Sequence, residues 1–413
     1  MTARRLFWML FATGMALRVL WAIVVPVHPV SDSWAYHQFA RNIVDHGVYG
    51  WTPDSPTAYW AVGASAAIAA SYLVFDGFTG VIILNLIAAA MILVLTYELA
   101  LRWFGEAAAL WSLALVAFWP NLIFFTTILS SELLFIAMMM AGLYFWQRPG
   151  GRPVLDTVIA GFLWGLTAYI RPVILFVPIA LALVDLVHGR RALLTSGLKA
   201  SVTILLMMLV ALPWTLRNDE VLGAPVMIST NFGPNLWMGN NPKSNGGYMP
   251  LPDEVESMGE VERSEYLSAK AKAFMQENPG ATLKLFAIKF VKLNARETIG
   301  VVWNEKGLGP TVGALGMTLL KLIATGYWYM LLTLSVYGAV MLARQKGLSA
   351  MIFSAPIALM SYFTLLHVIV VAEDRYHIPS SPFIAALAGL GLATLASKWS
   401  RHIGSVRLVG YPA

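Results

Sequence analysis

Ten apolar stretches of near-membrane length recur along this chain, at 6–25, 81–101, 107–126, 133–146, 154–170, 172–187, 198–214, 312–342, 348–371 and 378–395. A run of about 20 apolar residues closes its own backbone hydrogen bonds as a helix and is comfortable in hydrocarbon, so a chain patterned this way has few folds open to it. Composition agrees: 58% of the 413 residues are hydrophobic, 12% are charged and the mean hydropathy is +0.68. A soluble globule is excluded, and the expected class is an all-α polytopic membrane protein with about ten transmembrane helices. The first stretch follows Arg4 and Arg5 like a secretory signal, but Pro26, His28 and Pro29 stand where a small-residue cleavage site belongs, so it is expected to remain as a span. The net charge of +6 falls mostly in short connections, as anchors do, and no nucleic-acid partner is expected. With no cysteine, the chain has neither disulfides nor thiolate metal sites.

The basic connections set an orientation. Arg102, Arg148 with Arg152, Arg190 with Arg191, Arg344 with Lys346, and the tail at 398–407 alternate correctly from an inside N-terminus if the basic side is cytoplasmic. The scheme requires 60–75, rich in Ala and Ser, to lie at the outer interface without crossing. The whole of 1–413 then forms one membrane domain, with outer connections at 27–76, 217–309 and 372–377. In the first, Asp32 stands where a helix N-cap belongs and Gly47 where a C-terminal stop belongs, with Phe39, Ala40, Ile43 and Val44 as an apolar stripe between them. In the second, 254–277 reads as a charged helix. A following helix at 281–296 sets Leu283, Phe286, Ala287 and Phe290 on one side and Lys284, Lys289, Lys292 and Arg296 around the other, a pattern suited to lying on anionic headgroups.

The polar residues concentrate in those outer connections as short motifs. They are Ser31-Asp32-Ser33 with Tyr36, Ala40, Gly47 and Tyr49; Pro56-Thr57-Ala58-Tyr59-Trp60 with Gly63; Ser130-Ser131-Glu132; Tyr169-Ile170-Arg171-Pro172; Pro213-Trp214-Thr215-Leu216-Arg217-Asn218; Ser229-Thr230-Asn231 with Asn235-Leu236-Trp237-Met238-Gly239-Asn240-Asn241-Pro242; and Glu373-Asp374-Arg375-Tyr376-His377-Ile378-Pro379. In their order and their common side they resemble the lipid-linked sugar transferases of the GT-C superfamily, in particular the ArnT-like and protein O-mannosyltransferase-like bacterial members, over nearly the whole chain. The chain departs from many of these in carrying Ala61 where a proline often follows the aromatic pair, and in lacking the lysine that ArnT-like members place before a Pro-Pro-Leu segment. The resemblance implies a GT-C fold, a catalytic acid at Asp32 and a sugar donor carried on a polyprenyl phosphate. It places Tyr36, Tyr59, Trp60 and Tyr376 among the substrate-binding residues and implies no cofactor.

The chemistry can be argued separately. Transfer from a polyprenyl phosphate needs an aligned acceptor and cations for the departing phosphate, itself a good leaving group. Asp32 is expected to accept a hydrogen bond or proton from the acceptor, its plainer role being a helix cap. Arg375, Arg171 and Arg217, each at the outer end of a span, are the candidates for the phosphate, against simple snorkelling to the interface. Arg375 leads because Glu373 and Asp374 flank it and could fix its geometry. Glu132 opens a span after two serines, as a cap or a second acid. Asn231, Trp237, Asn240 and Asn241 suit sugar recognition through amides and ring stacking, or a structured turn. Arg18, about midway through the first span, must find a partner or a polar cavity. His37, Asp45 and His46 are not spaced to converge on one ion, so no metal is expected.

The expected activity is therefore inverting transfer of a hexosyl or pentosyl unit from an undecaprenyl-type donor to a lipid, glycan or protein acceptor, at the periplasmic face of a bacterial inner membrane. The alternative is a transporter or flippase of a lipid-linked sugar. Transporters place broken helices and polar groups near the midplane, whereas here only Arg18 is deep.

Overall fold

A computed structural model describes residues 2–187 and 193–407, with side chains as far as 398; Arg190 and Arg191 of the expected cytoplasmic clusters lie outside the described residues. The helices in chain order are α1 (Ala3–Val24), α2 (Asp32–His46), α3 (Gly63–Tyr72), α4 (Thr79–Phe104), α5 (Glu106–Ala117), α6 (Pro120–Phe124), α7 (Glu132–Trp146), α8 (Pro153–Ile170) and α9 (Val177–Val187). They continue as α10 (Leu193–Leu222), α11 (Phe232–Gly239), α12 (Glu260–Glu277), α13 (Pro279–Asn294), α14 (Ile299–Trp303), α15 (Glu305–Lys346), α16 (Leu348–Ile352), α17 (Ala355–Ile369) and α18 (Ser381–Arg407). A two-stranded antiparallel hairpin, β1 (Gly50–Thr52) and β2 (Ser55–Pro56), follows α2.

All ten expected apolar segments are helical, but not all are single helices of membrane length. Among the described residues six helices are long and apolar enough to cross, and α5 with the following Pro120–Thr127 makes a bent pair, turned by 54°, that would be a seventh. Glu132–Trp146, Pro172–Val187 and Ala355–Ile369 are shorter apolar helices. A 15-residue helix such as α7 or α17 reaches about 22 Å, short of a hydrocarbon core of about 30 Å. The helix that begins at Glu132 and the one that leads toward Arg375 are therefore both shorter than a full span. The segment expected at the interface is the 10-residue α3, about 15 Å long and too short to cross.

The core is a bundle centred on α18, which packs on α15 and α5, while α8 joins α7 to α10 and α4 joins α5 to α7. Burial ranks the helices: 78% of the apolar window of α18 is buried against 11% for α1, whose Trp8, Leu20 and Ile23 face outward, so α18 is the axis and α1 lines the lipid-facing edge. The α15–α18 contact depends on glycine. A methyl group at Gly338 would lie 1.9 Å from the Leu387 carbonyl oxygen, and one at Gly391 2.7 Å from that of Leu334.

The segments expected on the outer side fold with two changes from expectation. The charged helix starts at Glu260, after a turn of 3-10 helix at Asp253–Val255. In α13 the face turned to the protein is Thr282, Leu285, Lys289 and Leu293; of the expected apolar stripe, Leu283, Ala287 and Phe290 are exposed and Phe286 is half-buried. Lys289 is fully buried and not on a headgroup-facing side: its amine donates to Asn240 Oδ1 at 2.9 Å and to the carbonyls of Ile369 at 2.9 Å and Val370 at 3.4 Å, closing the end of α17. Helix termini leave just such carbonyls without partners.

Candidate active site

Four chain segments converge at one end of the bundle. The first turn of α2 supplies Asp32 and, one turn on, Tyr36. The start of α7 supplies Ser131 and Glu132. Arg171 closes α8: Pro172 disfavours helical conformation in the residue before it, and Arg171 is extended at φ −150°. Arg375 stands on the irregular segment between α17 and the 3-10 turn at Ile378–Ser380.

Their charges alternate. Arg171 Nε donates to Ser131 Oγ at 2.7 Å and its Nη2 to Glu132 Oε1 at 2.5 Å. Arg375 Nη1 donates to the same Glu132 Oε1 at 3.4 Å, and its Nη2 to the Asp32 carboxylate. The Arg375 guanidinium also lies 4.6 Å from the Trp303 ring centre and 5.3 Å from that of Tyr376. Side-chain exposure is 0% at Glu132, 13% at Arg375, 15% at Arg171 and 25% at Asp32, so Glu132 forms the floor and Asp32 the accessible rim. Two guanidiniums this close repel unless a carboxylate stands between them, and Glu132 is that carboxylate. Burial would lower the proton affinity of Arg375, but Asp32, Tyr376 and Glu132 raise it well above the ordinary arginine value, and it stays charged.

The carboxylate of Asp32 does not cap α2, as its position in the sequence led us to expect. Ser31 occupies the cap position, with no side-chain cap bond, and its φ of 51° is the only positive value at a non-glycine among the described residues. Such backbone strain clusters where function demands a geometry. Gly47 ends α2 as expected, in the left-handed region at φ 67°, its N–H bonded to the Ile43 carbonyl.

Aromatic rings extend the site. Tyr36 donates to Ser131 Oγ at 3.3 Å and its ring lies 5.4 Å from that of Trp60. Trp51, Tyr59 and Trp60 form a mutual cluster. Tyr376 stacks on His367 at 4.7 Å. Burial pushes the Tyr36 and Tyr59 phenols up to about 12, so both remain neutral donors. Asn231 accepts a hydrogen bond from Ser229 at 3.2 Å, and the adjacent Thr230 N–H bonds to the Ala58 carbonyl, which ties this turn to the Tyr59 segment.

Other candidate residues are engaged elsewhere. Arg217 donates to the carbonyls of Thr57 and Tyr49 at 2.8 and 3.0 Å, stacks over Trp214, and so clamps the first outer loop. The Asn240 amide bonds to Leu236, Ile369, Val370 and Lys289, and Asn241 to Trp237 and Lys243. The Trp237 carbonyl accepts that Asn241 bond, and its indole is half-buried. Glu373 and Asp374 do not hold Arg375; they pair with Lys292 at 3.2 Å and Arg296 at 3.3 Å and fix the backbone on either side of it. Arg18 has its partners: the carbonyls of Gly14, Ala117 and Val116 at 2.8, 3.0 and 3.0 Å, the last two freed by the break between α5 and α6. Trp303 was not legible as a site residue, because it lies 72 positions from the arginine it underlies. Among the described residues no three of His, Asp and Glu converge as the ligands of a metal ion would.

Residues 53–216, which include Ser131, Glu132 and Arg171, match the family model for dolichyl-phosphate-mannose-protein mannosyltransferase. No curated protein sequence matches the chain. Among solved structures, the apo oligosaccharyltransferase of Archaeoglobus fulgidus is similar over 100% of this chain and 52% of its own, with a TM-score of 0.60 at 13% identity. The same enzyme in complex with an inhibitory peptide and a dolichol-phosphate is similar with a TM-score of 0.54 at 12% identity, over 100% of this chain and 52% of its own. ArnT from Cupriavidus metallidurans bound to undecaprenyl phosphate has a TM-score of 0.45 at 15% identity, over 94% of this chain and 78% of its own. This chain thus spans about half the length of the archaeal enzyme. Fold and site define a multi-pass α-helical membrane protein of the GT-C fold. The family-model match covers residues 53–216, and the archaeal structures show the fold that the chain shares with them.

Proposed function

We propose that the chain is an inverting glycosyltransferase that moves a sugar from a polyprenyl-phosphate donor to an acceptor hydroxyl at the periplasmic face of a bacterial inner membrane. The observation that carries this reading is the alternating array Asp32, Arg375, Glu132, Arg171, buried at Glu132 and partly exposed at Asp32. Arg375 and Arg171 would hold the donor phosphate, and the dolichol-phosphate in the archaeal complex is a ligand of the same chemical kind. A phosphate oxygen competes with the Asp32 carboxylate for the Arg375 donors, because both are charge-assisted acceptors of similar geometry. Donor binding therefore frees Asp32 to accept the acceptor hydroxyl. In the transfer, the acceptor oxygen bonds to the anomeric carbon from the face opposite the phosphate, the carbon–phosphate oxygen bond breaks with its electron pair going to the phosphate, and the hydroxyl proton passes to Asp32. Arg171 and Arg375 stabilise the added charge on the leaving phosphate, with Glu132 holding them in register and not acting as an acid. Tyr36, Tyr59, Trp60, Tyr376 and Asn231 would line the sugar and acceptor side.

A flippase reading loses its main support, since Arg18, the charge expected deep in the membrane, is bonded to helix carbonyls and not to a pathway. The test is Asp32→Asn with undecaprenyl-phosphate hexose and pentose donors. We expect donor consumption to fall by about 100-fold or more with folding and lipid binding intact; undiminished turnover would refute the role.

A further inference from the structure

Behind the array lies a second buried network that the proposed reaction does not use. Glu297, between α13 and α14, receives the Trp119 indole N–H at 2.9 Å on Oε1 and 2.8 Å on Oε2. His377 Nε2 lies 3.2 Å from Glu297 Oε1, and its Nδ1 lies 2.9 Å from the Leu293 carbonyl oxygen. Both side chains are almost fully withdrawn from solvent.

A carbonyl oxygen only accepts, so Nδ1 must carry a proton. The indole only donates, and its N–H is shared by both carboxyl oxygens, the arrangement that an ionised carboxylate draws. A neutral ring would then turn an Nε2 lone pair toward a carboxylate, so Nε2 also carries a proton. The ring is stacked on Trp328 at 4.0 Å, with planes 20° apart, a face that favours a cation. Trp328 is itself fixed by its N–H on the Asn294 carbonyl at 2.9 Å.

We infer that Glu297 and His377 form a buried carboxylate–imidazolium pair that positions Arg375. The pair ties three elements together: the connection after α13, the break between α5 and α6 through Trp119, and the segment that carries Arg375 two residues before His377. Thr298 and Arg296 on Asp374 and Lys292 on Glu373 hold the same segment from the outside. The other ionisable groups that face the pair among the described residues are Tyr327 on α15 and His367 on α17. The consequence for catalysis rests on the phosphate role proposed for Arg375; the pair and its hold on the segment do not.

The test uses the full chain in nanodiscs and needs no lipid-linked donor. Nitrogen-15 histidine NMR near neutral pH, with the resonance assigned by its loss in His377→Phe, should show both ring nitrogens protonated. In Glu297→Gln the amide can still accept from Trp119 and donate to a neutral ring, so we expect a neutral Nδ1–H ring with the fold retained. Hydrogen exchange read by mass spectrometry over 370–378 should quicken at least tenfold in His377→Phe, which keeps the stack on Trp328, and should return to within about threefold of the wild type in Glu297→Gln. A neutral His377 ring in the wild type would overturn the ion pair, and unchanged exchange in His377→Phe would overturn the positioning role. Failure of the protein to bind any polyprenyl phosphate would leave both readouts standing and count against the proposed function alone.

Discussion

Arg18 and Arg375 are both guanidiniums withdrawn from water, and they are satisfied in opposite ways. Arg18 bonds to the Ala117 and Val116 carbonyls at the end of α5 and to the Gly14 carbonyl of its own helix. Arg375 bonds to two carboxylates and rests on two rings, at the edge of an opening that leaves it and Asp32 partly exposed. A cation held by carbonyls closes structure; a cation held by carboxylates can exchange one anion for another. Lys289 belongs with Arg18, since its partners are the carbonyls that end α17 and an amide.

The comparison breaks most sharply at Glu132. Replacing it with Gln removes the one charge between two buried guanidiniums, and removing one member of a buried ionic set costs about 3–5 kcal/mol. Thermal unfolding of the detergent-solubilised variant should show the loss, and an unshifted transition would mean that the array is looser than its distances imply. Arg18→Met should cost about 1–3 kcal/mol, the usual penalty for orphaned buried carbonyls, while polyprenyl-phosphate binding stays at the wild-type level. Reduced lipid binding in that variant would move Arg18 from the structural class to the functional one.

The third prediction is a pH slope. Burial lowers the Lys289 amine to about 7 in the folded chain. Its unfolded value is about 10.4, so between those values the unfolded state binds a proton that the folded state does not. Stability therefore rises with pH across that window, by up to about 1.4 kcal/mol per pH unit, with the penalty fully present below pH 7. Melting temperatures from pH 7 to 9 should climb in the wild type relative to Lys289→Met; parallel curves would place the lysine in a wetter setting.

Much of this was readable from residues in order, and the unread part has a common cause. The apolar periodicity marked all ten helical segments, because a membrane span is a local property of sequence. Asp32, Glu132, Arg171 and Arg375 stood out as ionisable groups beside apolar runs, where a charge needs a reason. What sequence could not supply was pairing: Glu132 lies 243 positions from Arg375, and Trp119 lies 178 from Glu297. The assignments that shifted show the same limit. Asn240 and Arg217 look like ligand groups by type, and only the carbonyls brought to them from elsewhere in the chain show that their donors are taken, while Asn241 is held by its sequence neighbours Trp237 and Lys243. The amphipathic face of α13 was assigned from spacing alone, and a neighbouring helix end drew Lys289 inward against it.

The most direct test of the central claim is native mass spectrometry of the purified chain with undecaprenyl phosphate against phosphatidic acid, in wild type and Arg375→Ala. The account predicts selective retention of the polyprenyl lipid by the wild type and a loss of about tenfold or more in the variant, the worth of a charge-assisted hydrogen bond. Equal retention of both lipids by both proteins would contradict it, because the exchangeable cation would then not be where the phosphate binds.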